Sequence, residues 1–467
     1  MNARLLSAFP LWRAPTFQVA CMKLTRLIMV LAFGSCVAAP RLQAAALYAF
    51  NNAIGSFAGP NGLIVTSNVL YGTTRYAITT NGWTSGAVFR LNTDGLGFTN
   101  LHTFGFDGAP YAGVISSDGM LYGTTFNTIF AMRADGSEFT TLFTFPRNVF
   151  GLEPSASLVM SGNTLYGTAD FLEDGGVVFA IDTNGSNYRV LHAFTPAPSG
   201  TNYDGGNPMS ALILSEGVLY GTASKDGQFG GGTVFKLNTN GSAFETLHDF
   251  AANDGTNPVG GLVISVKTLY GTTQGGSGYG TVYSLNTDGT GFKVLHRFNG
   301  SDGGGPVATL VLKGGALYGT ATWGGTNSNG TVFFLNADGT GFKTLYNFSP
   351  SFGLNTPTPW NADGWAPGPL VLLGTNLFGV CLGGGAGLGT IFTVPISTSA
   401  AQLNIARSGD KVVAMWPTGP PGYSLQYATN LSSPIWSSIA SSAVVVNGQN
   451  AVTNAIFGKQ MFLRLSQ

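Results

Sequence analysis

The chain has 467 residues, a formal net charge of zero and only 9% charged residues. No basic stripe is visible, which excludes the footprint of a nucleic-acid binder, and 44% hydrophobic with 12% aromatic residues excludes a disordered chain. The 68 glycines follow no Gly-X-Y period, so collagen is excluded as well.

Residues 1–45 read as an N-terminal extension and signal peptide. Met22-Lys23-Leu24-Thr25-Arg26 is a short basic start, and Leu27 to Ala39 is an apolar run too short to span a bilayer comfortably. Ala44-Ala45-Ala46 supplies the small residues of a cleavage site. Residues 1–21 fit that plan poorly, so Met22 is an alternative start. Phe33-Gly34-Ser35-Cys36 faintly matches a lipoprotein box, but Phe33 fits its first position badly, so plain secretion is preferred. The expectation is a secreted or cell-surface protein with no transmembrane span. Loss of the leader removes Cys21 and Cys36 and leaves Cys381 alone, with no intramolecular disulfide.

From residue 46 to about 396 the chain repeats. Tyr71, Tyr122, Tyr166, Tyr220, Tyr270 and Tyr318 each sit in a Leu-Tyr-Gly frame, and Phe378 takes that place in Leu377-Phe378-Gly379. A period of this size marks a solenoid, an array or a propeller. Within residues 261–298, Gly261 to Ser265, Lys267 to Thr273, Thr281 to Leu285 and Phe292 to Phe298 read as four short strands. A tight turn, a glycine-rich loop and Asn286-Thr287-Asp288-Gly289 separate them. Four strands per tandem unit predict propeller blades. The seventh copy, ending at Thr390 to Val394, has three strands. Ala46-Leu47-Tyr48-Ala49-Phe50, ahead of the first copy, matches the fourth-strand pattern of Leu101-His102-Thr103-Phe104. An N-terminal strand that completes the last blade hides two open edges and closes a seven-bladed ring.

The pairs Asp94-Gly95, Asp135-Gly136, Asn184-Gly185, Asn240-Gly241, Asp288-Gly289 and Asp338-Gly339 all fall between third and fourth strands. Asp and Asn exchange there, which points to turns rather than calcium carboxylates. Calcium is possible but not indicated, and no cofactor is expected. The glycine of Leu-Tyr-Gly-Thr is read as permitting close backbone approach.

The unit Gly-Leu-Val, Leu-Tyr-Gly-Thr-Thr, Gly-Thr-Val-Phe, Asn-x-Asp-Gly-x-x-Phe, Leu-His-x-Phe and Asp-Gly-x-x-Pro resembles the GloVer (Gloeo/Verruco) tandem repeat over residues 46–396. The second copy departs from it, with a stub at Thr125 to Thr128. The resemblance implies an exported bacterial protein and no established reaction, substrate or catalytic residue.

Residues 400–467 form a separate unit. Leu403 to Ala406, Lys411 to Trp416, Tyr423 to Ala428, Ile435 to Ile439, Ala443 to Val446 and Met461 to Leu465 read as strands of a small β-sandwich. It is loosely similar to fibronectin type III modules, with Trp416 as core aromatic. The whole is therefore expected to be all-β: a seven-bladed β-propeller followed by a small β-sandwich.

Chemistry is harder to find. His102, His192, His248 and His296 share one fourth-strand slot with Tyr48, Phe143 and Tyr346, an aromatic packing slot. Four rings spread over four blade rims cannot converge on a metal or a triad. The glutamates Glu138, Glu153, Glu173, Glu216 and Glu245 show no repeated position near the axis. The candidates lie where second-to-third and fourth-to-first loops share one face. They are Trp83, Trp323, Trp360 and Trp365, in loops 75–86, 224–232, 274–280 and 322–330 and their neighbours, and Asp107, Asp204, Asp254, Asp302 and Asp363 of the Asp-Gly-x-x-Pro turns. The aspartates are read first as turn caps, and loops on a rigid scaffold commonly carry binding. The expected role is an exported, monomeric binding or scaffold protein with a carbohydrate or protein partner at the loop face. The alternative is an extracellular carbohydrate-active enzyme using an acidic pair in the central pocket.

Overall fold

A computed structural model describes residues 45–50, 56–79, 82–105, 108–146, 153–170, 175–197, 201–351, 361–385, 388–396, 404–408, 411–417, 424–428, 437–439, 444–446, 449–455 and 462–466. Among them every regular element is a strand. No helix among them is long and apolar enough to cross a membrane.

Seven four-stranded antiparallel sheets form seven blades of a propeller. Six of them run in chain order, at residues 56–103, 115–144, 159–193, 213–249, 263–297 and 311–347. The seventh takes Trp365–Leu373, Asn376–Gly383 and Thr390–Pro395, and Ala45–Ala49 pairs antiparallel with its third strand, Ala46 opposite Phe392. The ring is thus closed by the N-terminal strand. In all seven blades the third and fourth strands slip register at one equivalent place, as between Val234 and Phe235 or between Ile391 and Phe392. A bulge there adds right-handed twist, which a propeller blade needs.

The core lies between blades. Tyr270 and Val282 of blade five pack with Leu310, Leu317 and Phe333 of blade six. Leu63, Leu70 and Phe89 of blade one meet Phe50, Phe378 and Val380 of blade seven across the closing junction. Leu-Tyr-Gly-Thr serves these contacts residue by residue. Its tyrosine reaches the next blade, as Tyr220 does with Leu269 and Tyr283. Its threonine hydroxyl donates to a carbonyl of the next blade in six blades: Thr73 to Ala112, Thr124 to Ala156, Thr168 to Ser210, Thr222 to Pro258, Thr272 to Ala308 and Thr320 to Gly368, at 2.8–3.4 Å. In blade seven Val380 stands at that position and is buried. The glycine makes room for a ring rather than for backbone. A Cβ on Gly221 would lie 2.5 Å from Phe235 Cζ and 2.7 Å from Leu212 Cδ2.

The Asp-Gly turns behave as read. Asp94, Asp135, Asn184, Asn240, Asp288 and Asp338 each accept the backbone N–H two residues on, at 2.8–3.0 Å. At Gly241 glycine is required twice over. Its φ is +85°, and a Cβ would lie 2.8 Å from the Leu191 carbonyl of the preceding blade.

Two local expectations change, and one, the short connection in blade two, is met. Residues 75–86 do not form a glycine-rich loop. Val69–Thr79 and Gly82–Asn92 run on as one long hairpin, because Tyr76 to Thr79 hold no glycine and favour extended backbone. In blade two the stub is a tight turn, in which Thr125 Oγ1 and Thr128 Oγ1 lie 2.7 Å apart. In the C-terminal unit an unexpected strand, Gln449–Ala455, lies between Lys411–Pro417 and Val444–Val446. That four-stranded sheet includes Asn404–Ser408, and a second sheet comprises Ser437–Ser438, Ser424–Ala428 and Phe462–Ser466. Ala414 and Val452 of one sheet cluster with Leu425 and Leu463 of the other. The Trp416 side chain is outside the described residues.

Candidate functional site

The first strands surround the axis. Gly62 to Ile64, Gly113 to Ile115, Ser155 to Ser157, Met209 to Ala211, Val259, Gly261, Val307 to Thr309, and Pro369 with Leu370 line a central cavity of about 220 Å³. All seven blades contribute to this narrow channel. The fourth strands therefore stand at the rim, which puts the histidines far from the axis.

The histidines and the turn aspartates meet one another. His192 Nε2 lies 3.2 Å from Asp204, and His296 Nε2 lies 3.0 Å from Asp302. His248 Nε2 approaches Asp254 at 3.4 Å but outside hydrogen-bond geometry. Tyr346 fills the same slot in blade six and its hydroxyl donates to Asp363. The same carboxylates cap their turns, accepting the N–H groups of Thr195, Asn299 and Ser349 at 2.9 Å. Each of these histidine rings also stacks on a phenylalanine of the next blade. His192 meets Phe244 at 3.6 Å, His248 meets Phe292 at 3.8 Å and His296 meets Phe342 at 3.6 Å. Burial pushes the Asp204 carboxyl up, but bonds from His192 and Thr195 outweigh this and hold it below the usual carboxylate range. Burial lowers the pKa of His296 against the opposing pull of Asp302, and lowers that of His102 as well. These repeated pairs hold blades together, and their sites remain separate.

The tryptophans divide. Asp107 and Trp360 lie outside the described residues. Trp83 sits in a strand opposite Ile78, and its side chain is not described. Trp365 begins a strand opposite Gly383, where a Cβ would come within 2.0 Å of the indole. Trp323 reverses the arrangement, lying over Gly304 and edge-on to Tyr279 at 5.0 Å, and it remains 39% exposed.

A second, wider cavity of about 560 Å³ opens beside the channel. Its lining comes from equivalent positions of different blades. Five residues beyond the leucine of Leu-Tyr-Gly stand Arg75, Phe126, Asp170, Ser224, Gln274, Thr322 and Leu382. Of these, Arg75, Ser224 and Gln274 line the cavity. Just before the turn proline stand Ala109, Glu153, Asn207, Asn257, Gly305 and Ala366, and Asn207 and Asn257 line it. Just after the proline come Tyr111, Ser155, Met209, Val259 and Val307, all of them lining residues, and Lys225 completes the wall. The bridges Gly206 to Lys225, Thr256 to Gly275 and Gly304 to Trp323 tie the fourth-to-first segments to the second-to-third loops, so this mouth lies on the loop face. The framework repeats around the ring while these slots vary, with seven different residues in the Arg75 column and fewer repeats of type than the framework in the other two.

Charge is concentrated at the mouth. Arg75 lies over the Tyr111 ring at 4.2 Å. Lys225 is exposed and has no carboxylate within 4 Å among the described residues. Asp170 is 5% exposed and accepts from Ser155 at 3.3 Å. Burial raises its carboxyl pKa, with Ser155 and Lys225 among the opposing influences. Glu153 pairs with Asp170 through two backbone hydrogen bonds of 3.0 Å. Burial and then the Asp170 charge raise its pKa, and Arg75 opposes them. Neither carboxyl lines the cavity. Among the described residues no group of three or more His, Cys, Asp and Glu is placed to hold a metal ion.

The model of the Gloeobacter/Verrucomicrobia repeat matches residues 38–222, 126–278, 174–359 and 215–416. The chain belongs to this repeat family. No curated protein matches the sequence. Among solved structures, the extracellular domain of a one-component system of B. thetaiotaomicron is similar at 12% identity and a TM-score of 0.49, covering 90% of this chain and 48% of that one. Puromycin hydrolase is similar at 13% identity and a TM-score of 0.48, covering 79% and 60%. A nidogen/laminin complex chain is similar at 17% identity and a TM-score of 0.37, covering 58% and 89%.

Proposed function

We propose that this repeat protein is an exported binding or scaffold protein that receives a carbohydrate or protein partner at the mouth of its central channel. One observation carries the reading. Leu-Tyr-Gly-Thr, the Asp-Gly turns and the ring stacks recur from blade to blade and are accounted for by packing, whereas the slots that vary most between blades converge on one concavity. A rigid scaffold bearing varied side chains around a pocket suits recognition. The leader-like residues 22–46 support export.

The test is to plug the mouth. Asn257→Trp fills it. Because the φ of +61° at Asn257 strains a bulky side chain, the melting temperature of this variant is read beside that of Val259→Trp, which fills the same mouth without that strain. Asn240→Asp alters a turn between third and fourth strands, at the other end of the blade. A glycan array and a pull-down from envelope extract should lose their signal with Asn257→Trp and keep it with Asn240→Asp. Equal signals from both variants refute the reading. The enzyme alternative draws on Glu153 and Asp170, but their carboxyls stand behind the wall. Turnover of a polysaccharide that is abolished by Asp170→Asn would restore it.

A further inference from the structure

We propose that the mouth pocket takes the carboxylate of an acidic sugar residue, with Lys225 and Arg75 facing the charge and Asn207, Asn257 and Gln274 facing the hydroxyls. This rests on the mouth reading above and adds the chemical class of the ligand. In a chain with only 9% charged residues, two of the eleven lining residues are cationic and none is acidic. Lys225 is exposed, and no described carboxylate lies within ion-pair distance of it. The carboxyls whose charge reaches Lys225, those of Asp170 and Asp226, both lie outside the lining. Asp170 is buried against Ser155, and Glu153 is outside the lining.

The remaining wall distinguishes a sugar acid from a bare ion. A small inorganic anion would satisfy the cations but leave Asn207 Oδ1, a buried acceptor with no hydrogen-bond partner, unanswered, and would make no use of the Asn257 and Gln274 amides, which bond each other across the wall. A pyranose ring offers them hydroxyls, and its C–H faces suit Met209, Val259 and Val307. The volume of about 560 Å³ falls in the range of roughly 300–1,000 Å³ typical of small-ligand sites. A stable protein interface uses about 20–30 residues a side, more than this concavity supplies.

The experiment is titration calorimetry on the full chain. The probes are triuronates of galacturonate, mannuronate and glucuronate, their methyl esters, maltotriose and inorganic phosphate. At least one triuronate should bind, at least tenfold more tightly than its methyl ester or maltotriose, and phosphate should bind weakly. Lys225→Gln, at an exposed position that leaves the fold intact, should weaken the triuronate roughly tenfold or more, as loss of a charge-assisted bond implies. Binding should also fall as salt rises. Equal affinity for acid and ester, no effect of Lys225→Gln, no triuronate binding, or phosphate binding as tightly as the triuronate overturns the proposal. If a neutral sugar binds and Asn257→Trp blocks it, the acidic class fails while the mouth reading stands. If a triuronate binds to the Asn257→Trp variant unchanged, both fail together.

Discussion

Replacing Gly221 by alanine isolates the steric role of the repeated Leu-Tyr-Gly-Thr glycine. Its backbone is not in the left-handed region, so alanine brings no φ strain there. The new methyl would lie 2.5 Å from Phe235 Cζ and 2.7 Å from Leu212 Cδ2. Carbon atoms rest about 3.5–4.0 Å apart, so the ring and the leucine would each have to withdraw by about 1 Å. Phe235 is fully buried and touches Phe194 and Phe244, which leaves it little room. Overpacking of this kind costs about 1–3 kcal/mol. The assay is urea unfolding followed by tryptophan fluorescence, comparing midpoints at equal m-value. Phe235→Leu removes the approaching ring edge, so the double variant Gly221→Ala/Phe235→Leu should lose less than the sum of the two single losses. Unchanged stability of Gly221→Ala, or strict additivity in the double variant, would refute the account of this glycine.

Four further outcomes follow from the geometry. Thr222→Val keeps the shape but leaves the buried Pro258 carbonyl without its donor, and should cost about 1–3 kcal/mol in the same assay. Lowering the pH should destabilise the fold below about 6.5. His102, His248 and His296 have folded pKa values below the free value, so the unfolded chain binds protons first and stability is lost as pH falls; thermal melts from pH 8 to 5 should show it, and a flat profile would contradict the burial of these rings. Cys381 is buried and its thiol is pushed well up, so it should resist a thiol reagent in the native protein and react only on unfolding. Deleting residues 45–50 should expose the edge of Thr390–Pro395 and yield aggregation or a lower melting temperature, whereas a monomer of native stability would contradict closure by that strand.

Much of the architecture is legible within one repeat. Strand number, the Asp-Gly turns and the borrowed closing strand all follow from local patterns that recur. What is illegible joins residues of different repeats or of distant segments. Nothing near Thr222 announces that it will bind Pro258, and nothing near His192 announces Asp204 as its partner or Phe244 as its stacking neighbour. The strand Gln449–Ala455 escapes notice because Gln449, Asn450, Thr453 and Asn454 are polar and Val452 is its one large apolar residue. The mouth slots did leave a signal. Aligning the copies on Leu-Tyr-Gly shows Arg75, Phe126, Asp170, Ser224, Gln274, Thr322 and Leu382 in one column. Such a column reads as noise until the fold places it around a cavity.

Closure by the N-terminal strand also sets an order of events during folding. The pairing of Ala46 with Phe392 joins points roughly 350 residues apart, so loop-closure entropy opposes it until the intervening blades have condensed. The blade strand synthesised first is therefore the last of the blade strands to find its place. Until then the emerging chain carries two unsatisfied strand edges, and a folding helper or a second chain offering a matching strand could capture either of them.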